Sequence, residues 1–240
     1  MKSFLFLFFA VLSLIPGYTN AQMFSADEFA RRQPTNFSTF LTIGFEAADF
    51  QFKGGGLPLG PNSDLSFTDP IYRVAIENPS FGVSMGVAGR LTGLDDRSFF
   101  HLGVRLGAPL RLIQKRTFSL TVPLQLSTEL TTVQDSRVGD DFQQSTLAVG
   151  LGPSVELRLN ENLRFSSSAV PSYGFSVAAG GFFGGQVYTL ENRNNILIGG
   201  ILPGRAISLG YTYNFQRFDI EENRFDYNLV GHRFTIGVSF

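Results

Sequence analysis

The chain has 240 residues, 19 Lys and Arg against 20 Asp and Glu, and a net charge of −1. That balance supplies no basic surface for nucleic acid, and the absence of cysteine excludes a disulfide framework and a Cys-ligated metal. Hydrophobic content is an ordinary 43%, yet 26 Phe and 26 Gly stand beside only Lys2, Lys53 and Lys115, where a soluble surface of this size carries many lysines.

Residues 1–21 read as a secretory signal peptide. Lys2 supplies the basic start, residues 3–15 (SFLFLFFAVLSLI) the apolar stretch, Pro16-Gly17 the break, and Thr19-Asn20-Ala21 a small-residue cleavage site. The apolar run falls short of the ~20 residues of a spanning helix; an uncleaved anchor is the alternative. No cysteine follows the site, so lipoprotein processing is excluded. Residues 22–35 form a periplasmic lead-in. Within it Ser25 and Glu28 fit a capping box for a short helix over 25–32, to be read as a plain lead-in or as an amphipathic interface helix or plug.

Beyond Ala21 no apolar stretch is long enough for a membrane helix. A membrane location would therefore require a closed sheet, because unpaired backbone groups in hydrocarbon cost several kcal/mol each. The rest of the chain, read as a single domain over 36–240, repeats one pattern of strict alternation interrupted by turns. From Phe81 to Leu91 one face is Phe81, Val83, Met85, Val87, Gly89 and Leu91, the other Gly82, Ser84, Gly86, Ala88 and Arg90. The same holds from Phe100 to Leu112, from Phe118 to Leu130 and from Leu147 to Leu159. A period of two means strands with one greasy and one polar face. Their length exceeds the ~5–6 residues usual in soluble sheets and suits a tilted bilayer crossing of ~9–11 residues.

Strands are expected at about 36–49, 66–77, 80–92, 98–113, 116–131, 145–159, 162–177, 187–201, 205–218 and 226–240. The strand over 187–201 carries Glu191-Asn192-Arg193-Asn194-Asn195 across its middle; without it the barrel has eight strands rather than ten. Tight turns at 77–80, 114–116, 160–162 and 202–204 alternate with longer links at 50–65, 93–98, 132–144, 178–186 and 219–225, the pattern of short periplasmic turns and long outer loops. The fold class is thus all-β, an up-and-down antiparallel transmembrane barrel with both termini periplasmic.

The polar face of Gly, Ala, Ser and Thr with scattered Arg and Glu suits a narrow lumen. A soluble barrel with the apolar face inward, the alternative, would show Lys, Asp and Glu instead. Aromatic placement points the same way. Phe37, Phe81, Phe118, Phe165 and Phe240 fall on the apolar parity near the turn ends, and Tyr72, Phe100, Tyr173, Phe175, Tyr211, Tyr213 and Phe215 near the loop ends, as two interfacial belts would.

At the C-terminus Phe234, Ile236, Val238 and Phe240 alternate with Thr235, Gly237 and Ser239. This resembles the terminal signal of bacterial outer-membrane proteins. Over 36–240 the chain resembles the outer-membrane β-barrel class, in size its small OmpA-transmembrane or OmpW-like members. The resemblance implies a location in the cell outer membrane, outer-membrane lipid around the barrel, and the barrel assembly machinery as the partner that recognises Phe234, Ile236, Val238 and Phe240.

By parity the inward charges are Glu46, Arg73, Glu77, Arg90, Arg105, Arg111, Glu129, Glu156, Arg158, Arg164 and Arg233, a net positive set. They are expected to form Arg–Glu pairs that occlude the lumen, since unpaired charge there is costly, leaving a structural or surface-interaction role. The alternative is a narrow anion-preferring pore selected by arginines, with small ions as its passengers. Ten strands enclose only slightly more than the eight-stranded size that side chains fill, so a wide channel is not expected. A hydrolase, the third reading, needs an Asp–His or Ser–His arrangement at the outer rim. His101 faces inward beside the link with Asp95 and Asp96, and His232 falls on the lipid parity with no serine two residues on. No catalytic residue, cofactor or metal site is assigned. The acidic pairs Asp95-Asp96, Asp140-Asp141 and Glu221-Glu222 read as solvated loop charge, with divalent cations or a surface partner as the alternative, and Gly54-Gly55-Gly56 as a flexible link without phosphate-binding context.

Overall fold

The computed structural model describes residues 37–53, 65–89, 97–135, 140–178, 183–220 and 226–240, all within one compact unit, Pro34–Phe240. The signal peptide, the lead-in with its Ser25–Glu28 box, Gly54-Gly55-Gly56, Arg90, Asp95, Asp96, Glu221 and Glu222 lie outside the described residues. Those described contain strands and no helix: β1 (Phe40–Phe52), β2 (Phe67–Glu77), β3 (Phe81–Ala88), β4 (Arg97–Gln114), β5 (Phe118–Asp135), β6 (Asp140–Leu151), β7 (Ser154–Arg158), β8 (Leu163–Ala178), β9 (Phe183–Leu202), β10 (Arg205–Ile220) and β11 (Tyr227–Ser239).

Every pairing is antiparallel. From β1 the sheet runs through β2 and β3 to β4 on one side, and through β11, β10, β9, β8 and β6 to β5 on the other; β4 pairs with β5 and closes the ring. β6 and β7 are two halves of one stave, since both lie between β5 and β8. The break is local. Pro153 has no N–H to give, and Gly152 is pressed so closely on β8 that a Cβ there would come within 1.9 Å of the Ala169 carbonyl oxygen. The result is a closed barrel of ten staves. The stave over 187–201 is therefore real, and the eight-stranded alternative is set aside.

The alternation sets the two faces. In β1, Leu41, Ile43 and Phe45 point outward while Phe40, Thr42, Glu46 and Ala48 are buried. Leu124 and Ile236 are 46% and 51% exposed on the outside, whereas Glu46 is 0% exposed inside. The barrel is apolar outward, with each backbone edge paired to a neighbour.

Three of the four tight turns have visible causes. Asn78 Oδ1 accepts from the amides of Ser80 at 2.8 Å and Phe81 at 2.7 Å. Asn160 Oδ1 accepts from the Asn162 amide at 2.8 Å. Between β9 and β10, Pro203 supplies the fixed φ and Gly204 sits at φ 66°, where only glycine is unstrained.

Several boundaries depart from expectation. The expected links at 132–144 and 178–186 are largely strand, because β5 continues to Asp135, β6 starts at Asp140 and β9 at Phe183, and β10 runs on two residues into the third, to Ile220. The stretch Thr131-Thr132-Val133 favours strand, and pairing continues wherever inward residues find something to pack on. Phe37 is also placed differently. It precedes β1, where parity no longer binds, and packs inside the mouth on the Phe40–Leu197–Ala206 cluster. At the far end of β4 a bulge makes Leu112 the extra residue, so that Arg111 opposes Thr121 and Ile113 opposes Leu120.

Inward glycines make room for charge. A Cβ at Gly231 would lie 2.1 Å from Glu46 Oε1, and one at Gly82 3.1 Å from an Arg105 nitrogen. Gly231→Val should therefore eject the Glu46 carboxylate and lower the folded fraction; heat-modifiable migration on gels reads this directly, and unchanged folding would contradict the packing described.

Candidate functional site

The lumen is the candidate site, and it is layered. At the turn end lies a cavity of about 370 Å³ that widens to the mouth, lined by Thr42, Ser119, Thr121, Ser166, Ser168, Thr235 and the guanidinium groups of Arg111 and Arg158. Glu156 stands at this mouth, bridged by Arg158 Nε at 3.0 Å and Arg164 Nη1 at 3.4 Å. Arg164 also lies 3.8 Å above the Phe37 ring, a cation–π contact. Arg111, exposed at the same mouth, has no ion pair among the described residues.

Above the cavity comes an ionic layer. Glu46 from β1 accepts from Arg233 Nε of β11 at 2.8 Å and from Arg73 Nε of β2. A second group centres on Arg193. Its Nε and Nη2 form a fork on Glu191 at 2.7 and 2.9 Å, and its Nη1 reaches Glu77 at 3.1 Å. Arg105 adds a looser contact to Glu191 at 3.7 Å. Glu129 takes its hydrogen bond from Gln216 Nε2 at 3.2 Å rather than from an arginine. Two of these bonds are struts across the bore: Arg193 of β9 to Glu77 of β2, and Gln216 of β10 to Glu129 of β5. A space of about 60 Å³ remains within this layer.

The loop end is apolar apart from the Arg97–Asp135 ion pair at 3.5 Å. Phe50, Phe67, Phe99, Phe142, Phe218 and Tyr227 are all buried inside the barrel, together with Ile71, Val133 and Val187. Phe50 is at the centre, with ring centroids 5.4 Å from Phe67, 6.2 Å from Phe142 and 5.1 Å from Tyr227. Phe218 caps Tyr227 at 5.5 Å, and Phe99 meets Phe67 edge-on at 5.5 Å. Offset and edge-to-face arrangements of this kind are the ones aromatic pairs prefer.

The structure thus places Glu46, Arg73, Glu77, Arg105, Glu129 and Arg233 in the middle layer and Arg111, Glu156, Arg158 and Arg164 at the turn-end mouth. On the inward parity the described arginines number eight, counting Arg193 and Arg97, and they meet five glutamates, counting Glu191, and Asp135, whose Oδ2 lies 3.5 Å from Arg97 Nε at the loop end. Glu191 and Arg193 were missing from the sequence-derived set, although their spacing of two, shared with Val187 and Leu197 inside the barrel, marks them as inward. The aromatic plug was missed too. His101 is buried in the bore with Nδ1 3.4 Å from Thr131 Oγ1 and its ring stacked on Phe99, away from any rim. His232 is on the outer face, 2.9 Å from the Tyr211 hydroxyl. Phe234, Ile236 and Phe240 face outward along β11, while Val238, on the same parity, is half-buried.

No protein-family model and no curated protein sequence matches this chain. Among solved structures it is similar to the outer-membrane protease OmpT from Escherichia coli, at a TM-score of 0.42 and 9% identity over 85% of this chain and 96% of that one. The translocator domain of autotransporter NalP from Neisseria meningitidis aligns at 0.31 and 9% identity, over 85% and 89% of the two chains. The toluene transporter TodX from Pseudomonas putida aligns at 0.24 and 6% identity, over 91% and 94%. These are likenesses in strand architecture and assign no activity to this chain.

Proposed function

We propose that this protein is an integral outer-membrane barrel with a closed lumen, exported by its signal peptide, serving a structural or surface-interaction role and carrying out no catalysis. The observation that carries the reading is the aromatic plug: six packed rings centred on Phe50 fill the loop end above an ionic layer braced from wall to wall. The apolar exterior supports the membrane location, because a closed barrel satisfies its own backbone and leaves only side chains to meet lipid. The terminal run Phe234, Ile236, Val238 and Phe240 supports delivery by the barrel assembly machinery. Among the described residues each histidine meets a hydroxyl, Thr131 for the buried His101 and Tyr211 for the outward His232, but neither is paired with the serine or carboxylate a hydrolase would use.

Refolded protein in planar bilayers is expected to show no stable single-channel conductance. Steady anion-biased channels, altered by Arg105→Ala or Arg233→Ala, would instead support the narrow pore, the reading that the free Arg111 and the arginine-lined mouth favour.

A further inference from the structure

The outward face of the barrel has one place where its alternation of grease fails. On β9, Tyr188, Leu190 and Ile196 face out, but between them the same parity brings Asn192 and Asn194 to the outside. The Ser167 hydroxyl of β8 donates to Asn194 Oδ1 at 2.8 Å, and Asn194 Nδ2 donates to Asn192 Oδ1 at 2.6 Å. On the other flank the register sets Asn194 beside Tyr211 and Asn192 beside Tyr213 of β10, and Tyr211 is hydrogen-bonded to His232 of β11. A polar patch thus spans four neighbouring staves, with apolar Ile196, Leu209 and Ile236 on its turn-end side and Tyr188 and Phe215 on its loop-end side.

No described residue accepts a hydrogen bond from Asn192 Nδ2. If the barrel sits in lipid, as proposed above and as this inference requires, those two donors face hydrocarbon, where an unpaired polar group costs several kcal/mol. Something must meet them.

We infer that the Ser167–Asn192–Asn194–Tyr211–Tyr213–His232 patch is the contact surface of a homodimer within the membrane. Two features favour a second copy over a different protein. The patch contains no carboxylate, lysine or arginine, and amides and hydroxyls each donate and accept, so that it complements itself. All copies also insert with one orientation, because β1 begins and β11 ends at the turn end of every barrel. A two-fold axis along the membrane normal then brings the patch to its own image at the same depth, the isologous contact usual in homodimers.

The test uses the full chain, which has no cysteine of its own. Asn194→Cys is expected to give a disulfide-linked dimer on oxidation in native membranes, and Met85→Cys, on the stave directly across the ring, is expected to give none. Equal crosslinking at the two positions, or none at either, overturns the dimer. Because Asn194→Cys removes one of the amides, the double variant Asn192→Leu/Asn194→Leu provides a second reading. It should fold readily, since leucine suits a lipid face, and its dimer in detergent should dissociate about tenfold more easily, the scale of a few polar contacts between membrane segments. An unchanged monomer–dimer balance in that variant also overturns the proposal. Membrane flotation separates the two layers of argument: protein that fails to float with lipid defeats the membrane location itself, whereas floating monomer defeats only the dimer.

Discussion

Glu46→Ala is expected to destabilise the folded barrel by about 3–5 kcal/mol, the cost of leaving a buried charge without its partner. Glu46 is fully buried and serves two arginines at once, Arg73 on one neighbouring strand and Arg233 on the other. Removing it leaves two guanidinium groups facing each other beneath the Phe50 ring cluster. The loss should appear as a lower urea midpoint for the variant folded into vesicles. Glu46→Gln should fall between the two, since the amide keeps an acceptor but loses the charge. Removing the repulsion as well, in Glu46→Ala/Arg233→Leu, should recover part of the loss, and that non-additivity separates an ionic cause from a simple cavity. A Glu46→Ala barrel as stable as the parent would show that water already screens the cluster.

The second large effect concerns the plug. Phe50→Ala removes the ring on which Phe67, Phe142 and Tyr227 converge, and a buried Phe-to-Ala change costs about 3–5 kcal/mol. Here it carries a functional signature as well. In Phe50→Ala/Phe142→Ala the loop end loses two of its six rings, including the central one, and is left with four rings above the ionic layer. Ion conductance is then expected where the closed-lumen reading expects none from the parent. If the double variant folds yet stays silent, the remaining rings and the ionic layer suffice to close the bore and Phe50 and Phe142 serve stability.

Much of this was legible in the sequence because a barrel strand exposes its two faces to two different solvents, and alternation over 36–240 records that contrast directly. Ten staves, the tight turns and the outward placement of Leu124 and Ile236 follow from parity alone. What parity does not convey is what the inward positions meet. In β1 the inward series passes from Thr42 and Glu46 to Ala48 and then Phe50; a phenylalanine there was readable as inward, but composition encouraged assigning aromatics to lipid. Phe142 was obscured for another reason, because it sits in the expected link 132–144, whereas Phe99 and Phe218 stand at the loop-side ends of expected strands where their partners were not foreseen. Phe37 failed for the opposite reason, being assigned a face before pairing began. Glu191 and Arg193 lay in the run that least resembled a strand, and only the cross-strand partners on β8 and β10 show why the sheet tolerates it. The bulge at Leu112 shows in the sequence only as the adjacent apolar pair Leu112-Ile113, both exposed on the outer face.

On the closed-lumen reading proposed above, the hydroxyl-lined cavity below the ionic layer is a cul-de-sac. Whatever enters by the mouth would then leave by it, and the water inside would equilibrate with one compartment alone. Reagents added on the loop side of sealed proteoliposomes should leave a thiol placed at Ser168 untouched, while the same reagents on the turn side consume it. The molecule would then report, by chemistry alone, which way round it lies.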